Sequence, residues 1–159
     1  MRNYKLILFS LLALGLLAQC QQPTGTEAVV TIPQLQISCT ASNCASSSSN
    51  PKLFVYITTS GCLSIAYGQV ATGTGTISCS AGSCTAASLT WVNAAGASTT
   101  QIASNTYDFC AIIDLTGTYA GVSVPSGDAT SSSSAFVGSA TSPVTSISLS
   151  SWINGSFVK

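Results

Sequence analysis

Apolar and polar residues alternate along most of the chain after residue 28, and this period of two predicts β-strands. Two stretches show it clearly: Leu35, Ile37 and Cys39, and then Leu63, Ile65 and Tyr67. No window has the spacing of three and four residues that is typical of an amphipathic helix. The pattern therefore predicts a single all-β domain over residues 29–159.

The segment 106–115 is the best candidate for a central strand, because both of its faces carry apolar side chains. One face has Tyr107, Phe109, Ala111, Ile113 and Leu115, and the other has Asp108, Cys110, Ile112 and Asp114. Further strands are predicted at residues 53–57, 89–92, 119–124 and 144–149. A final hairpin is expected around Asn154 and Gly155, a pair suited to a type I′ turn.

Nine or ten short strands with Gly- and Ser-rich turns favour an antiparallel β-sandwich, with a barrel as the second option. An immunoglobulin-like architecture is one form of it, since Trp91 lies between Cys84 and Cys110. The tyrosine corner of that fold requires Tyr two residues before the second Cys, and Asp108 stands there instead. The sequence therefore predicts a β-sandwich architecture but does not place the domain in the immunoglobulin family.

The N-terminus has the layout of an export signal. Arg2 and Lys5 precede an uncharged run at residues 6–17, which ends just before Cys20. Twelve residues of helix rise about 18 Å, which is short of the roughly 30 Å hydrocarbon core of a membrane. A cleaved signal helix over residues 1–19 is therefore predicted, and a permanent transmembrane anchor is not.

The segment Leu17-Ala18-Gln19-Cys20 resembles the lipobox of bacterial lipoprotein precursors, although Gln19 differs from the Gly, Ala or Ser usual before the Cys. The resemblance covers residues 1–20 and implies that Cys20 is acylated and becomes the N-terminus after cleavage. Residues 20–28 would then form a tether. Gln21 would permit transport to the outer membrane by the sorting rule of that family. The alternative is an ordinary secretory peptide cleaved after Ala18.

Seven cysteines are an odd number, and six remain once Cys20 is set aside. These are candidates for three disulfides in an oxidising compartment: Cys39, Cys44, Cys62, Cys79, Cys84 and Cys110. Fifteen connectivities are open. Residues 37–44 and 77–84 match at five of eight positions, which indicates two related units. The favoured pairing closes each Cys-x4-Cys loop and joins Cys62 to Cys110.

The amino-acid composition limits the classes of function that the chain can have. The chain has four Lys+Arg, four Asp+Glu and no His, with charged residues at 5% where a globular protein has about 25%. Without clustered basic residues a nucleic-acid partner is excluded, because phosphate neutralisation requires them. Histidine-dependent catalysis is excluded as well. Ser and Thr, at 28 and 19 residues, make the predicted surface neutral and rich in hydroxyls.

Catalytic and metal-binding groups are sparse. Asp108 and Asp114 share a strand face about 20 Å apart, too far for a glycosidase pair, which needs about 5 to 10 Å. Residues 127–130 could contribute to a calcium loop, but they carry one carboxylate, Asp128, where such loops need several. A zinc site is disfavoured because exported cysteines oxidise. No enzyme activity, metal or cofactor is expected.

Aromatic side chains are the remaining candidates for binding, because Tyr and Trp combine a stacking surface with a hydrogen-bonding group. Four aromatic residues are expected to be exposed contacts: Tyr56, Tyr67, Tyr119 and Trp152. Core packing is the alternative for each, and it is the preferred prediction for Trp91 and Phe109.

These features predict a lipid-anchored lipoprotein of the bacterial cell envelope, in the outer membrane and with surface exposure as an option. Its β-domain would act in adhesion or interaction, with an unidentified protein or glycan ligand. The alternative is a structural subunit of a surface fibre or sheath. Few charges protect its sheet edges, so copies of the chain could pair edge to edge into a homo-oligomer.

Replacing Cys20 with Ser should abolish acylation, because the thiol is the atom that carries the lipid. The intact mass of the protein from its native membrane should show loss of residues 1–19 and added acyl mass, whereas the variant should show no acyl mass. Cys62→Ser serves as the control and should keep the lipid. Lipid retained in the Cys20 variant would contradict the lipobox assignment.

Overall fold

The computed structural model describes residues 28–40, 44, 51–64, 68–80, 83–121, 123–138 and 144–157, with the backbone alone at 79–80 and 83–87. This part of the chain contains a short 3-10 helix, Cys62–Ser64, and ten strands. The strands are β1 Val29–Thr31, β2 Gln34–Cys39, β3 Lys52–Thr58, β4 Gln69–Ser80, β5 Ser83–Asn93, β6 Gln101–Ala103, β7 Asn105–Asp114, β8 Ala129–Val137, β9 Ser146–Leu149 and β10 Ile153–Asn154. The all-β prediction is confirmed.

Eight strands form one sheet in the order β10-β8-β7-β3-β4-β5-β2-β9, while β1 and β6 form a separate pair. Neighbours are antiparallel except β2 and β9, which are parallel. β7 is hydrogen-bonded on both sides, to β3 and β8, as predicted for a central strand. The two packed sheets of a sandwich do not follow from this topology alone, so that part stays a prediction.

The register of β3 against β7 gives the sheet two buried faces. Leu53, Val55 and Ile57 lie opposite Ile113, Ala111 and Phe109, and all six are fully buried on what we call the inner face. The alternate residues of these strands form the outer face, where Phe54 lies opposite Ile112 and Tyr56 opposite Cys110. Burial on both sides explains why the apolar pattern of residues 106–115 is nearly continuous.

The inner face curls around the core. Ile37 of β2 and Leu149 of β9 pack in one cluster with Ala111 and Ile113 of β7 and Ala129 of β8. β8 and β9 touch although five strands separate them in the sheet order. The two ends of the sheet are therefore held together by buried side chains.

A second inner cluster is closed by the small sheet. Ile102 of β6 and Ile32, just after β1, pack with Tyr107, Phe109 and Val137. The β1–β6 pair thus covers apolar side chains that the large sheet would otherwise leave exposed.

Glycine in β4 makes room for a tryptophan. Gly73 lies opposite Trp91 of β5, and a Cβ atom at Gly73 would lie 2.8 Å from the Trp91 ring. Trp91 is half-buried and packs against both inner clusters. Only a residue without a side chain allows this approach.

Two disulfides follow the favoured connectivity. Cys39 is bonded to Cys44, with Cα atoms 5.9 Å apart, and Cys62 to Cys110, with Cα atoms 5.5 Å apart. Cys79 and Cys84 are backbone partners in the β4–β5 hairpin, but their side chains lie outside the description. The third predicted bridge therefore stays a prediction.

Two predicted strands are wrong where the structure describes them. The described residues of 119–124 form a loop, because the Asp114 carboxylate accepts the backbone amides of Thr118 and Tyr119 that a ladder would use. Cys62–Ser64 forms a 3-10 helix in place of the alternating strand, and residues 65–67 lie outside the description.

The expected final hairpin is also not observed. Ile153 and Asn154 pair with β8 instead of with the residues that follow Gly155. Gly155 has the predicted positive φ, 90°, but its amide donates to the Asp128 carbonyl. The turn therefore docks the C-terminal segment onto the main sheet.

The predicted signal peptide at residues 1–19, Cys20 and the tether up to residue 27 lie outside the described residues. Within the described ranges, no helix has the length and apolar character needed to cross a membrane.

The two observed disulfides should contribute unequally to stability. In the chain-entropy model the Cys62–Cys110 bridge, with a separation of 48 residues, stabilises by about 4 kcal/mol, and Cys39–Cys44, with a separation of 5, by about 2 kcal/mol. Urea unfolding of each paired Cys→Ala variant should therefore show the larger loss for Cys62 and Cys110. The pairs are matched in that each removes two cysteines from the chain. Equal losses would contradict this account.

Candidate functional site

The outer face carries an aromatic cluster that we call the tyrosine platform, made of Phe54, Tyr56 and Tyr119. The Tyr56 and Tyr119 hydroxyl oxygens are 2.9 Å apart and hydrogen-bonded. The Phe54 and Tyr119 rings meet edge to face, with centroids 5.0 Å apart and planes at 64°. Tyr56 is 8% exposed, while Phe54 and Tyr119 are half-buried. The platform therefore reaches the surface through Phe54 and Tyr119.

Two elements of different kinds position the platform. Strand alternation in β3 directs Phe54 and Tyr56 to the outer face, where they lie over Ile112 and Cys110 of β7. Tyr119 belongs to the loop after β7, which turns back over this face. Asp114 Oδ1 holds that turn by accepting the amides of Thr118 at 3.1 Å and Tyr119 at 3.3 Å.

Tyr119 stays neutral. Burial, the hydrogen bond with Tyr56 and the negative charge of Asp128 all raise the pKa of Tyr119 above its ordinary value. Its hydroxyl therefore remains able both to donate and to accept a hydrogen bond. A ligand at the platform would meet a neutral, amphipathic surface.

Asp108 lies toward the other end of the outer face and is tied to β8. It is half-buried, and its Oδ1 accepts a hydrogen bond from the Ser134 hydroxyl on the neighbouring strand. Two large apolar side chains are exposed near this end: Phe136, 52% exposed, two residues beyond Ser134 on β8, and Leu63, 57% exposed, next to Cys62, which is bonded to Cys110 of β7. This end of the face combines a carboxylate, a hydroxyl and apolar surface.

All three aspartates of the chain share the outer face. Asp108 and Asp114 lie on it by the alternation of β7, and Asp128 lies two residues before Thr130, which faces Ile112. Among the described residues none of the three forms an ion pair. Asp114 and Asp128 are buried and Asp108 is half-buried, so Asp108 is the aspartate that this face presents at the surface.

The four aromatic residues predicted as contacts have different environments in the structure. It brings Tyr56 and Tyr119 together, while Tyr67 lies outside the described residues. Trp152 is 5% exposed and packs in the inner core, so the expected exposure is not what the structure shows. Its indole Nε1 donates to the carbonyls of Ser38 at 2.9 Å and Leu149 at 3.1 Å. Those bonds satisfy its polar group, so the ring can be buried.

Core packing of Phe109 is confirmed, since it is fully buried. The sequence analysis did not predict the exposure of Leu63 and Phe136. Phe136 had a readable signal, because it continues the outward alternation of Ser132 and Ser134. Leu63 had none, since its pattern predicted a strand.

A cavity of about 300 Å³ lies away from the platform, at the ends of β1 and β8 and before β9. Its described lining contains no titratable side chain and consists of Val30, Thr31, Ile32, Pro33, Val137, Gly138, Val144 and Thr145. Most of these side chains are apolar, and Thr31 and Thr145 supply the hydroxyl groups of the lining.

Comparison with protein-family models, with curated proteins and with solved structures finds no match to this chain. The functional interpretation therefore depends on the outer face and on the N-terminal pattern.

Spectrophotometric titration tests the state of Tyr119. Its raised pKa means that the folded chain keeps a proton that the unfolded chain loses near pH 10, so this contribution to stability is complete below pH 10 and declines above it. Below about pH 12, folded wild type and folded Tyr119→Phe should release the same number of phenolic protons. In urea the variant should release one fewer. A missing phenol in the folded variant would contradict the assignment.

Proposed function

We propose that this chain is a lipid-anchored binding module of the bacterial cell envelope, whose outer face contacts a hydroxyl-rich ligand such as a glycan or a polar protein surface. The observation that supports this most is that the tyrosine platform shares one face with Asp108, a half-buried carboxylate. Aromatic rings pack against the C–H surface of a sugar, and carboxylates accept its hydroxyl hydrogen bonds.

The exposed apolar side chains strengthen the proposal. Leu63 and Phe136 are more than half exposed, which for large apolar residues carries a solvation cost. A ligand spanning the face would cover them. Ser134 beside Phe136 adds a hydroxyl suited to orienting a polar partner.

The proposed location depends on the N-terminal pattern. Lipidation of Cys20 would anchor the domain at the membrane through residues 20–28, and Gln21 favours the outer membrane. The Cys39–Cys44 and Cys62–Cys110 disulfides fit an oxidising compartment outside the cytoplasm.

We infer a sandwich-like arrangement for the single domain, residues 29–159. The contact between β8 and β9 and the shared cluster of Ile37, Leu149, Ala111 and Ile113 support two halves of one sheet packed face to face. This packing would leave the outer face free for a ligand.

The proposed role is non-catalytic. Asp114 and Asp108 are each occupied by hydrogen bonds that organise the chain, and the sequence has no histidine to serve as a general base. Binding uses such groups without changing their protonation.

The alternative, a fibre or sheath subunit, has one observation in its favour and one against it. Val29 is 61% exposed on the short strand β1, and Ile153 is 38% exposed on β10. The end strands β9 and β10 have only four and two residues, and short end strands limit edge-to-edge pairing. The structure therefore favours the binding module.

Binding to an array of bacterial and host glycans tests the proposal. Phe136→Ser should weaken binding about tenfold, equivalent to about 1.4 kcal/mol, because it removes an exposed apolar contact without disturbing the core. Val29→Ser is the matched control, since it removes an apolar side chain of similar exposure on β1, and it should bind as wild type does.

Two outcomes would contradict the binding module. One is equal loss of binding in both variants. The other is ordered polymers in light scattering that Val29→Ser disperses and Phe136→Ser does not, which would instead support the structural subunit.

A further inference from the structure

The strand register brings together two aspartates that lie fourteen residues apart in the sequence. In the β7–β8 ladder Ile112 pairs with Thr130 and Ile113 with Ala129; one further step of this register would place Asp114 opposite Asp128, and both carboxylates accept hydrogen bonds from Thr116. Directly opposed residues have Cβ atoms about 4.5 to 5.5 Å apart. Asp114 is 6% exposed and Asp128 is fully buried. Two carboxylates therefore share one enclosed corner of the fold.

Only part of their hydrogen-bonding capacity is used. Asp128 Oδ1 accepts the Thr116 amide at 3.0 Å, and Asp114 Oδ1 accepts amides of the same turn. Asp128 Oδ2 is buried without a hydrogen-bond partner, and so is Thr130 Oγ1, on the same face two residues along β8. The amides of this turn donate to one oxygen of each carboxylate. The second oxygen of Asp128 has no hydrogen-bond partner.

No basic side chain neutralises the pair within the described residues. Lys52 lies opposite Asp114 on β3, but it is exposed and forms no ion pair there. Arg2, Lys5 and Lys159, the other basic residues, lie outside the description. The Thr116, Thr118 and Tyr119 amides compensate part of the charge of these carboxylates, and a bound cation would compensate more of it.

Side-chain oxygen atoms are available around this corner besides the two carboxylates. Thr116 Oγ1 lies 3.5 Å from Asp114 Oδ1 and 2.6 Å from Thr118 Oγ1. Carboxylate and hydroxyl oxygens match the preference of Ca²⁺, which takes six to eight oxygen ligands and accepts irregular geometry.

We propose that Asp114 and Asp128 bind a calcium ion. No cluster of three or more His, Cys, Asp or Glu side chains occurs in the described part of the chain, so threonine hydroxyls and water would complete the coordination. With only two carboxylates, the affinity should fall in the range of extracellular modules, with a Kd of about 10⁻⁴ to 10⁻³ M. This site goes beyond the proposed ligand binding and does not depend on it.

The sequence analysis expected no metal, because residues 127–130 offer a single carboxylate. In the proposed site the second carboxylate would come from Asp114. Because Asp114 also accepts the Tyr119 amide, a bound ion would stiffen the loop that carries the tyrosine platform.

Calcium titration of the purified, oxidised full chain in mild detergent tests the site. Calorimetry should give one Ca²⁺ per chain, and CaCl₂ at ten times the Kd should raise the Tm by about 3 to 5 °C. Mg²⁺ should give a smaller shift, since it requires stricter octahedral geometry. Asp114→Asn and Asp128→Asn should each abolish the calcium-dependent shift.

Asp108→Asn is the matched control, because it removes a carboxylate from the same face outside this corner and should keep the calcium response. If the buried variants fail to fold, titration of the wild type still decides the question. No binding at 10 mM CaCl₂, on the order of ten times the weakest Kd expected, would overturn the proposal. So would a calcium response retained in both variants.

Discussion

The pairing of β3 with β7 is the interaction on which the other parts of the structure depend. Its inner face supplies Leu53, Val55 and Ile113 to the core, and its outer face supplies Tyr56 and Cys110 to the platform. The sheet extends from this pair on both sides, and its two ends meet through buried inner-face side chains of β2, β7, β8 and β9. The Cys62–Cys110 disulfide ties the segment after β3 to the same strand pair.

Because the chain has only four acidic and four basic residues, each aspartate carries a large fraction of its charge. In a typical domain carboxylates pair with Lys or Arg, but here Asp108 accepts a serine hydroxyl and Asp114 accepts backbone amides. Hydrogen bonds to the charged form replace the missing ion pairs. The arrangement concentrates negative charge on one face, and this concentration connects the proposed ligand surface with the proposed calcium site.

Local pattern predicted the strands wherever side-chain alternation matched burial. β2, β3, β7 and β9 appear near their expected positions, and the favoured pairing of Cys39 with Cys44 and Cys62 with Cys110 is observed. The pattern failed at residues 119–124, where side-chain capture of amides outweighed strand propensity. The prediction that Trp152 is exposed was also wrong. Its indole N–H donates to the carbonyls of Ser38 and Leu149, which come near Trp152 only in the folded chain.

The two-residue hydrophobic period and the composition were sufficient to predict the all-β class and the disulfides, and the sequence has no His for histidine catalysis. These properties depend on residue identity and on spacing of two, both of which are local. The tertiary structure decided that Asp114 and Asp128 both contact Thr116. The register of β7 with β8 brings them to the same end of the ladder, and this register depends on burial of the apolar inner face. For the same reason Tyr119 reaches Tyr56 across 63 residues of sequence, through a turn held by Asp114.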